Sequence, residues 1–420
     1  MREKSVRSSS ARRLAESQHR CARPVLWRNW VRGLVVLVLF GAMPFRGDAT
    51  LASAQTLVRT FLPALWRQPD RVFGTVIGVS TLATTPDLIL VEIDARWYTL
   101  PDVPFSEYLS RDGGGHWERI ATRPWLAADP PSYYSSNRFA LLAGPSGPLL
   151  VAGYVHAGPI GGVVTSIYVS ADYGATWTQQ TTPTAPGCPV LMLNTFLTTP
   201  ARPGRLYAEL ACAAALPAGP TFIWIESDDA GVTWTPVLDP TDMGRTVVLS
   251  PARADRLFRV TDTRLLERSD TDGADWVPIG TAPSESISLT LTDADRILAS
   301  AGGGLFVSSD GGVTWLALNN LPCGFSGIPF LAEVPGTSPL ILTRCADGRL
   351  LATATSGQTW SNLPAAPWSA QHVLHAYQDA AVPGRIWLQT FGPEPSGLWR
   401  LDAGLASPWV PVLLTYLADL

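Results

Sequence analysis

The sequence predicts an all-β protein, a seven-bladed β-propeller of four-stranded antiparallel blades, and three observations predict it. An eight-residue pattern ending in Trp recurs along the chain, and short alternating strands flank each copy. The composition, 36 Gly, 36 Pro and 16 Trp in 420 residues, is that of many turns covered by flat apolar side chains. With 16% charged and 46% hydrophobic residues the chain is too apolar for disorder or a long coiled coil, and Gly has no three-residue period. A chain this long buries a large core, as two or three ordinary domains or as one repeat array, and internal self-similarity selects the array.

The first element in order is a leader. Residues 1–54 hold ten Lys/Arg against three acids, and the apolar run Gly33–Phe45 is followed by Ala52-Ser53-Ala54, an A-x-A cleavage pattern. This order is that of a secretory signal peptide, and 13 apolar residues fall short of the roughly 20 that span a bilayer. Residues 1–54 are read as a signal peptide, with a short N-terminal anchor as the alternative. Residues 55–71 are a linker, a short helix or a closing segment, and 72–420 are the propeller. Without the leader, 21 Arg face 32 acids, a net charge of −11. An acidic exported protein is a poor ligand for nucleic acid or anionic membrane, where a basic footprint supplies the affinity. The expected location is extracytoplasmic, with no membrane insertion after cleavage, and the chain is read as a monomer.

The repeat follows. Ser110-Arg-Asp112-Gly-Gly114-Gly-His-Trp117 recurs as Ser170-Ala-Asp172-Tyr-Gly174-Ala-Thr-Trp177, Ser227-Asp-Asp229-Ala-Gly231-Val-Thr-Trp234 and Ser308-Ser-Asp310-Gly-Gly312-Val-Thr-Trp315. Two copies are degraded. One, Ser269-Asp-Thr271-Asp-Gly273-Ala-Asp-Trp276, loses the Asp; the other, Thr353-Ala-Thr355-Ser-Gly357-Gln-Thr-Trp360, keeps only Gly, Thr and Trp, and a seventh, ending at Trp409, is visible by position. Trp-to-Trp spacings of 60, 57, 42, 39, 45 and 49 set the blade length. In such a turn Asp accepts backbone N–H groups, Gly supplies positive φ, and Trp covers the turn with a broad apolar face. The pattern S-x-D-x-G-x-[T/H]-W resembles the Asp-box, or BNR, repeat. From about residue 72 onward the chain resembles the Asp-box propellers, among them sialidases, xyloglucanase-type glycoside hydrolases, sortilin-type receptor domains and photosystem II assembly factors. The resemblance implies a structural role for these Ser, Asp, Gly and Trp residues, remote from any active centre.

Four strands are legible around a turn, as in Ile287–Leu291, Arg296–Ala299, Leu305–Ser308 and Thr314–Leu318. Several second strands open on Arg, at Arg205, Arg256 and Arg385. Seven such units fit between Val72 and Leu414. The mature chain has four cysteines, an even number consistent with two disulfides. Cys188 precedes the first strand of the third unit and Cys212 ends its second strand; Cys323 and Cys345 hold the same places in the sixth. Antiparallel neighbours bring those ends together, so the expected pairs are Cys188–Cys212 and Cys323–Cys345.

For chemistry, a sialidase resemblance would imply an arginine triad and an Arg-Ile-Pro motif, but the nearest segment, Arg71-Val-Phe-Gly, lacks the Pro. A glycosidase needs two carboxylates about 5–10 Å apart. Asp94, Asp102, Glu107, Glu209, Asp239, Asp242 and Glu333 are available, and sequence does not place any two across a channel. Trp97, Trp125, Trp224, Trp368, Trp387 and Trp399 lie outside the turns, either packing blades or free to stack on sugars. His372 and His375 are three apart, which on a strand points them to opposite sides. Neither G-x-S-x-G nor H-E-x-x-H occurs, and Gly302–Gly304 lacks the strand–loop–helix setting of a phosphate cradle, so no metal or cofactor is expected. The longer spacings of the first three units put loop length at Leu126–Asn137, Gly153–Thr165 and Ala213–Thr221. The sequence reading is an exported, non-catalytic propeller that binds a protein or glycan through channel-mouth loops. The alternative is an exo-acting glycoside hydrolase of sialidase or xyloglucanase type.

Overall fold

In the second strand of each blade, apolar side chains on both faces are buried, so one strand serves two neighbours. In the computed structural model, which describes Asp70–Tyr416 apart from connecting segments such as 95–104, 125–136, 213–220, 238–246 and 364–372, these strands sit within seven sheets. The leader expected over 1–54, and residues 55–69, lie outside the described residues. Pro69–Leu420 is one compact unit.

The blades follow the chain as antiparallel meanders. Blade 1 is β2 (Thr75–Leu82), β3 (Thr85–Asp94), β4 (Phe105–Ser110) and β5 (Glu118–Arg119). Blade 2 is β6 (Asn137–Gly144), β7 (Gly147–Ala157), β8 (Val163–Ser170) and β9 (Thr178–Gln179); blade 3 is β10 (Leu191–Thr199), β11 (Arg202–Cys212), β12 (Thr221–Ser227) and β13 (Thr235–Pro236). Blade 4 is β14 (Val247–Leu249), β15 (Leu257–Val260), β16 (Leu265–Ser269) and β17 (Val277–Thr281); blade 5 is β18 (Ser288–Leu291), β19 (Ile297–Ala301), β20 (Gly304–Ser308) and β21 (Leu316–Ala317). Blade 6 is β22 (Leu331–Val334), β23 (Leu340–Arg344), β24 (Leu350–Thr353) and β25 (Ser361–Asn362). Blade 7 is β26 (Val373–Gln378), β27 (Ile386–Thr390), β28 (Ser396–Leu401) and β29 (Val410–Tyr416), and β1 (Asp70–Phe73) pairs in parallel with β29. The expected architecture, seven four-stranded antiparallel blades forming a β-propeller, is the one observed.

First strands of successive blades touch one another, β2 with β6, β6 with β10, β10 with β14 and β14 with β18, so they line the channel. The core is divided among seven seams, one per pair of neighbouring blades. In blade 5, Ile297 packs toward blade 4 with Phe258 and Leu266, whereas the adjacent Leu298 packs toward blade 6 with Ile341. Alternation along a pleated strand makes this sharing possible, and burial on both faces explains the continuous apolar run Leu88–Val91. The seam between blades 7 and 1 closes the ring with Val76, Ile89, Val91, Ile93, Trp387, Leu398, Val412 and Leu413.

Each seam contains the turn Trp of its later blade: Trp117 between blades 7 and 1, Trp177 between 1 and 2, Trp234 between 2 and 3, and Trp276, Trp315, Trp360 and Trp409 in order around the ring. The Trp stands immediately before the fourth strand and covers the preceding blade as well as its own turn. Trp117 also donates its indole N–H to the Val412 carbonyl at 2.8 Å.

The meander gives the ring two unlike ends. Connections between first and second strands, and between third and fourth strands where the Trp-ending turns lie, share one end. Connections between second and third strands, and those leading to the next blade, share the other.

Candidate functional site

At the turn end the repeated residues bind one another. Ser110 Oγ donates to Asp112 Oδ1 at 3.0 Å and accepts the Gly114 N–H at 2.8 Å, while Asp112 Oδ1 accepts the His116 N–H at 2.7 Å. The same three bonds join Ser170, Asp172, Gly174 and Thr176 at 2.7, 2.8 and 2.8 Å. Ser227, Asp229, Gly231 and Thr233 repeat them at 2.8, 2.7 and 2.8 Å, and Ser308, Asp310, Gly312 and Thr314 at 2.7, 2.7 and 2.9 Å. Hydroxyl and backbone hydrogen bonds from Thr176 and Thr314 lower the Asp172 and Asp310 carboxyls to about 2. Each of these four carboxylates takes at least three hydrogen bonds within its own turn.

The degraded copies keep the shape with neutral groups. Thr271 Oγ1 takes the Asp place and accepts the Asp275 N–H at 3.0 Å, with Ser269 Oγ accepting Gly273 N–H at 2.7 Å. In blade 6, Thr355 Oγ1 accepts the Thr359 N–H at 2.9 Å and Thr353 Oγ1 the Gly357 N–H at 3.0 Å. In all six copies the fourth and fifth positions have positive φ, with Tyr173, Ala230, Asp272 and Ser356 showing that the fourth accepts a side chain. The fifth is always Gly, because a Cβ there would strike the preceding blade. The nearest atoms would be Ile120 at 2.7 Å for Gly174, the Val237 carbonyl at 2.3 Å for Gly273 and Leu318 Cα at 2.9 Å for Gly357.

The second-strand arginines also belong to this end. Arg205 clasps Asp228 through Nε and Nη2 at 2.7 and 2.6 Å, Arg256 holds Asp270 at 2.5 Å, and Arg385 holds Asp402 at 3.0 Å. Each carboxylate follows the third strand of the same blade, so these arginines fasten turn to blade. Asp272, at the fourth position of the degraded turn, crosses the seam to Arg202 at 3.1 Å and the Tyr207 hydroxyl at 3.2 Å.

At the loop end, polar groups gather where first strands bulge. Register shifts insert one residue, Ile77 in blade 1, Asn194 in blade 3 and Leu374 in blade 7. Opposite the residue after each bulge stands a polar second-strand residue, with Glu92 paired to Gly78, Glu209 to Thr195 and Gln389 to His375. Bulges re-aim side chains and break a ladder locally, a common device beside sites. Gln389 reaches the Val76 carbonyl of blade 1, and Glu92 Oε1 accepts the Phe139 N–H of blade 2 at 3.4 Å. Arg138, on β6, donates from Nε to the Asn194 carbonyl at 2.6 Å, and the Asn194 amide donates to Glu209. Burial pushes the Glu92 carboxyl up to about 8 against the opposing pull of Arg138, with Glu107 adding to the rise; burial also raises Glu209.

Of the carboxylates singled out from sequence, Asp94 and Glu107 are buried in blade 1, Glu209 is half-buried in blade 3, and Glu333 lies on β22. Asp102, Asp239 and Asp242 lie outside the described residues, as do Trp97, Trp125 and Trp368. Trp224, Trp387 and Trp399 are buried in seams and present no face to a sugar. Glu92, Arg138, Asn194 and Gln389 were not singled out, although Glu209 and Gln389 each follow a second-strand Arg by four residues, and that offset was a usable signal. Cys323 and Cys345 form the expected disulfide, with Cα atoms 5.6 Å apart. Cys212 is disulfide-bonded, and its expected partner Cys188 lies outside the described residues.

No protein-family model matches the chain, and none of the curated proteins compared with it does. Solved structures do. YCF48 bound to D1 peptide aligns with a TM-score of 0.50 at 16% identity, covering 80% of this chain and 96% of that one. YCF48 from Cyanidioschyzon merolae gives 0.46 at 12% identity over 78% and 95%, and the GH74 enzyme of Niastella koreensis 0.41 at 14% over 80% and 54%. At these identities the likeness concerns the fold. Among the described residues no group of three His, Cys, Asp or Glu is arranged to hold a metal, and no helix is long and apolar enough to cross a membrane.

Proposed function

We propose that the chain is an exported, non-catalytic Asp-box propeller that binds a protein or glycan at the loop end of its channel. One observation carries the reading. β3, β7 and β11 end, and β4, β8 and β12 begin, at the end opposite the hydrogen-bonded turns, which is also the end where the first strands of blades 1 and 3 bulge. Connections carried at one end of a ring of packed blades suit recognition. The turn residues are proposed to be structural, since their polar atoms are spent on one another. A leader, the Cys323–Cys345 bond and the bonded Cys212 support an extracytoplasmic location. Amino-terminal sequencing of the secreted protein is expected to begin at Gln55.

The glycoside hydrolase alternative has one observation in its favour: Glu92 and Glu107 are direct partners across β3 and β4. Glu107 is only 1% exposed and both carboxyls lie within the seam facing blade 2, which leaves little room for a sugar between them. The purified protein is therefore expected to turn over no aryl-glycoside or sialoside in a broad panel. Turnover abolished by Glu92→Gln or Glu107→Gln would replace this reading with the hydrolase.

A further inference from the structure

One arginine at the turn end of the seam between blades 3 and 4 serves three carboxylates. The Arg205 side chain is only 5% exposed, and its Nε and Nη2 clasp Asp228 of its own blade at 2.7 and 2.6 Å. Its remaining nitrogen, Nη1, meets two carboxylates at once: it donates to Glu226 Oε2 on β12 at 2.8 Å and contacts Asp272 Oδ2 in the blade 4 turn. Arg202, at the start of β11, adds a second guanidinium, which reaches Asp228 at 3.0 Å, Asp272 at 3.1 Å and Asp255 of blade 4 at 3.4 Å. Four carboxylates thus share two guanidiniums, and blade 4 is fastened to blade 3 through them. The arrangement is particular to this seam, since the fourth turn position is Asp272 here and Gly113, Tyr173, Ala230, Gly311 or Ser356 in the other copies.

The four acids are unequally supported. Asp228 takes both prongs of Arg205 as well as Arg202, and its bonds to Arg205 hold it below the ordinary carboxylate range. Asp272 takes both arginines and the Tyr207 hydroxyl at 3.2 Å, and Asp255 is 59% exposed to water. The Glu226 side chain is 14% exposed, and its one short bond goes to a nitrogen it shares with Asp272. Its other oxygen meets the Thr235 hydroxyl at 3.5 Å. A half-served carboxylate in a closed seam, facing a second carboxylate, is the member that gains most from taking up a proton.

We infer that Glu226 is the proton-binding member of a clasp that holds the blade 4 turn to blade 3, so that this seam tightens in mild acid and loosens toward alkaline pH. With Glu226 protonated, Arg205 keeps Asp228 and Asp272 and one negative charge leaves the cluster. Ionisation sets a second carboxylate charge against Nη1 and weakens the hold on Asp272, the residue that crosses the seam. The groups facing Glu226 are Arg205, Arg202 and the Tyr207 phenol of β11, Thr235 of β13, Asp228 just beyond its own strand and Asp272 of blade 4, with Asp255 on the far side of Arg202. Burial pushes the Glu226 carboxyl up to about 7 against the pull of Arg205, with Asp272 and Asp228 adding to the rise, in agreement with the geometry. The folded chain therefore holds a proton that the unfolded chain has released, and the stability it contributes is full below pH 4.5 and lost as pH rises through about 7. No His occurs between His156 and His372, so blades 3 to 6 carry no imidazole that could produce the same step.

The amide at position 272 reports on the clasp in the full chain without any ligand, since it donates to the Asp255 carbonyl at 3.0 Å within the blade 4 turn. Its hydrogen-exchange protection, corrected for intrinsic rates and followed from pH 4.5 to 8.5, is expected to fall about tenfold through a step near pH 7. Urea unfolding over the same range should show the unfolding constant rising in parallel. Glu226→Gln, which keeps the shape of the protonated acid, should match the wild type at pH 5, exceed its stability at pH 8 and remove the step. Asp272→Asn should move the step to lower pH, because the charge that shares Nη1 with Glu226 is gone. A wild-type protein without the step, a step that survives Glu226→Gln, or one that Asp272→Asn leaves in place would overturn the inference. So would a Glu226→Gln chain weakened by the same factor at every pH, because the ionised carboxylate would then be one more bond holding the seam.

Discussion

Replacing Gly357 by Ala separates two reasons for a glycine at the fifth turn position. Its φ of +83° is left-handed, but so is the φ of +49° at Ser356 beside it, where a side chain is accepted. If conformation were the whole reason, Gly357→Ala would cost about 1 kcal/mol, the strain of one residue in the left-handed region. A Cβ on Gly357 also meets Leu318 Cα, Cβ and carbonyl carbon at 2.9, 3.0 and 3.3 Å, atoms of blade 5 that are mostly backbone and cannot rotate away. Overpacking of this kind adds about 1–3 kcal/mol, so the expected loss is about 2–4 kcal/mol. With an unfolding entropy of roughly 2.1 cal/mol/K per residue, the propeller should melt about 3–5 °C lower. Ser356→Ala, one position away, is expected to stay within about 0.5 kcal/mol. Scanning calorimetry on both variants decides the matter. Equal melting temperatures for the two would refute the claim that these turns are glycine-bearing because they press against the preceding blade.

Other outcomes follow from the same geometry. Asp310→Thr should retain the turn, since Thr271 and Thr355 already accept the same N–H, whereas Asp310→Ala should lower the melting temperature and expose the Thr314 amide to exchange. Because hydrogen bonds depress the folded Asp310 carboxyl to about 2 from its ordinary 3.8, its contribution is present above pH 4 and lost as pH falls toward 2. Asp310→Thr should flatten that part of the stability profile measured by urea unfolding. The Cys323–Cys345 bond closes a loop of sequence separation 22, so the double Ser variant should lose about 3 kcal/mol, and peptide mapping without reductant should recover Cys188 joined to Cys212. Asp272→Asn should weaken the seam between blades 3 and 4 by about 1–2 kcal/mol, with a smaller difference in high salt, as read by urea midpoints at two ionic strengths.

The turn end was legible because its interactions are local and repeated. Ser, Asp, Gly and Thr bond within eight residues, so a pattern of eight residues records them. The Trp was legible for the same reason, but its role across the seam was not, since the surface it covers belongs to residues such as Val412, far from Trp117 in the chain. The loop end was read only as loop length. Glu92 and Glu209 acquire their settings from bulges in a neighbouring strand, and a one-residue insertion into β2 or β10 leaves no mark in composition or alternation. Glu209 was named as one acid among seven, and nothing local distinguished it from Asp239 or Asp242.

This difference between the ends explains why so regular a repeat says so little about ligands. A turn whose Gly abuts the previous blade and whose Trp fills the previous seam is constrained twice, by its own hydrogen bonds and by its neighbour. Substitution is admitted only where an equivalent group remains, as Thr replaces Asp in blades 4 and 6. At the other end the second strand faces a different partner in each blade. The positions that follow the buried centre of that strand by two residues are Glu92 in blade 1, Gly153 in blade 2, Glu209 in blade 3 and Gln389 in blade 7. Gly153 is there because Leu193 and Phe196 of blade 3 fill the space a side chain would occupy, whereas Gln389 reaches a backbone carbonyl of the next blade. One topological position thus carries an acid, a void or an amide, according to what the adjacent first strand presents. Polar groups particular to one seam, such as Glu92, Glu209 and Gln389, arise there because the ring needs only closure at that height, and several different side chains can supply it.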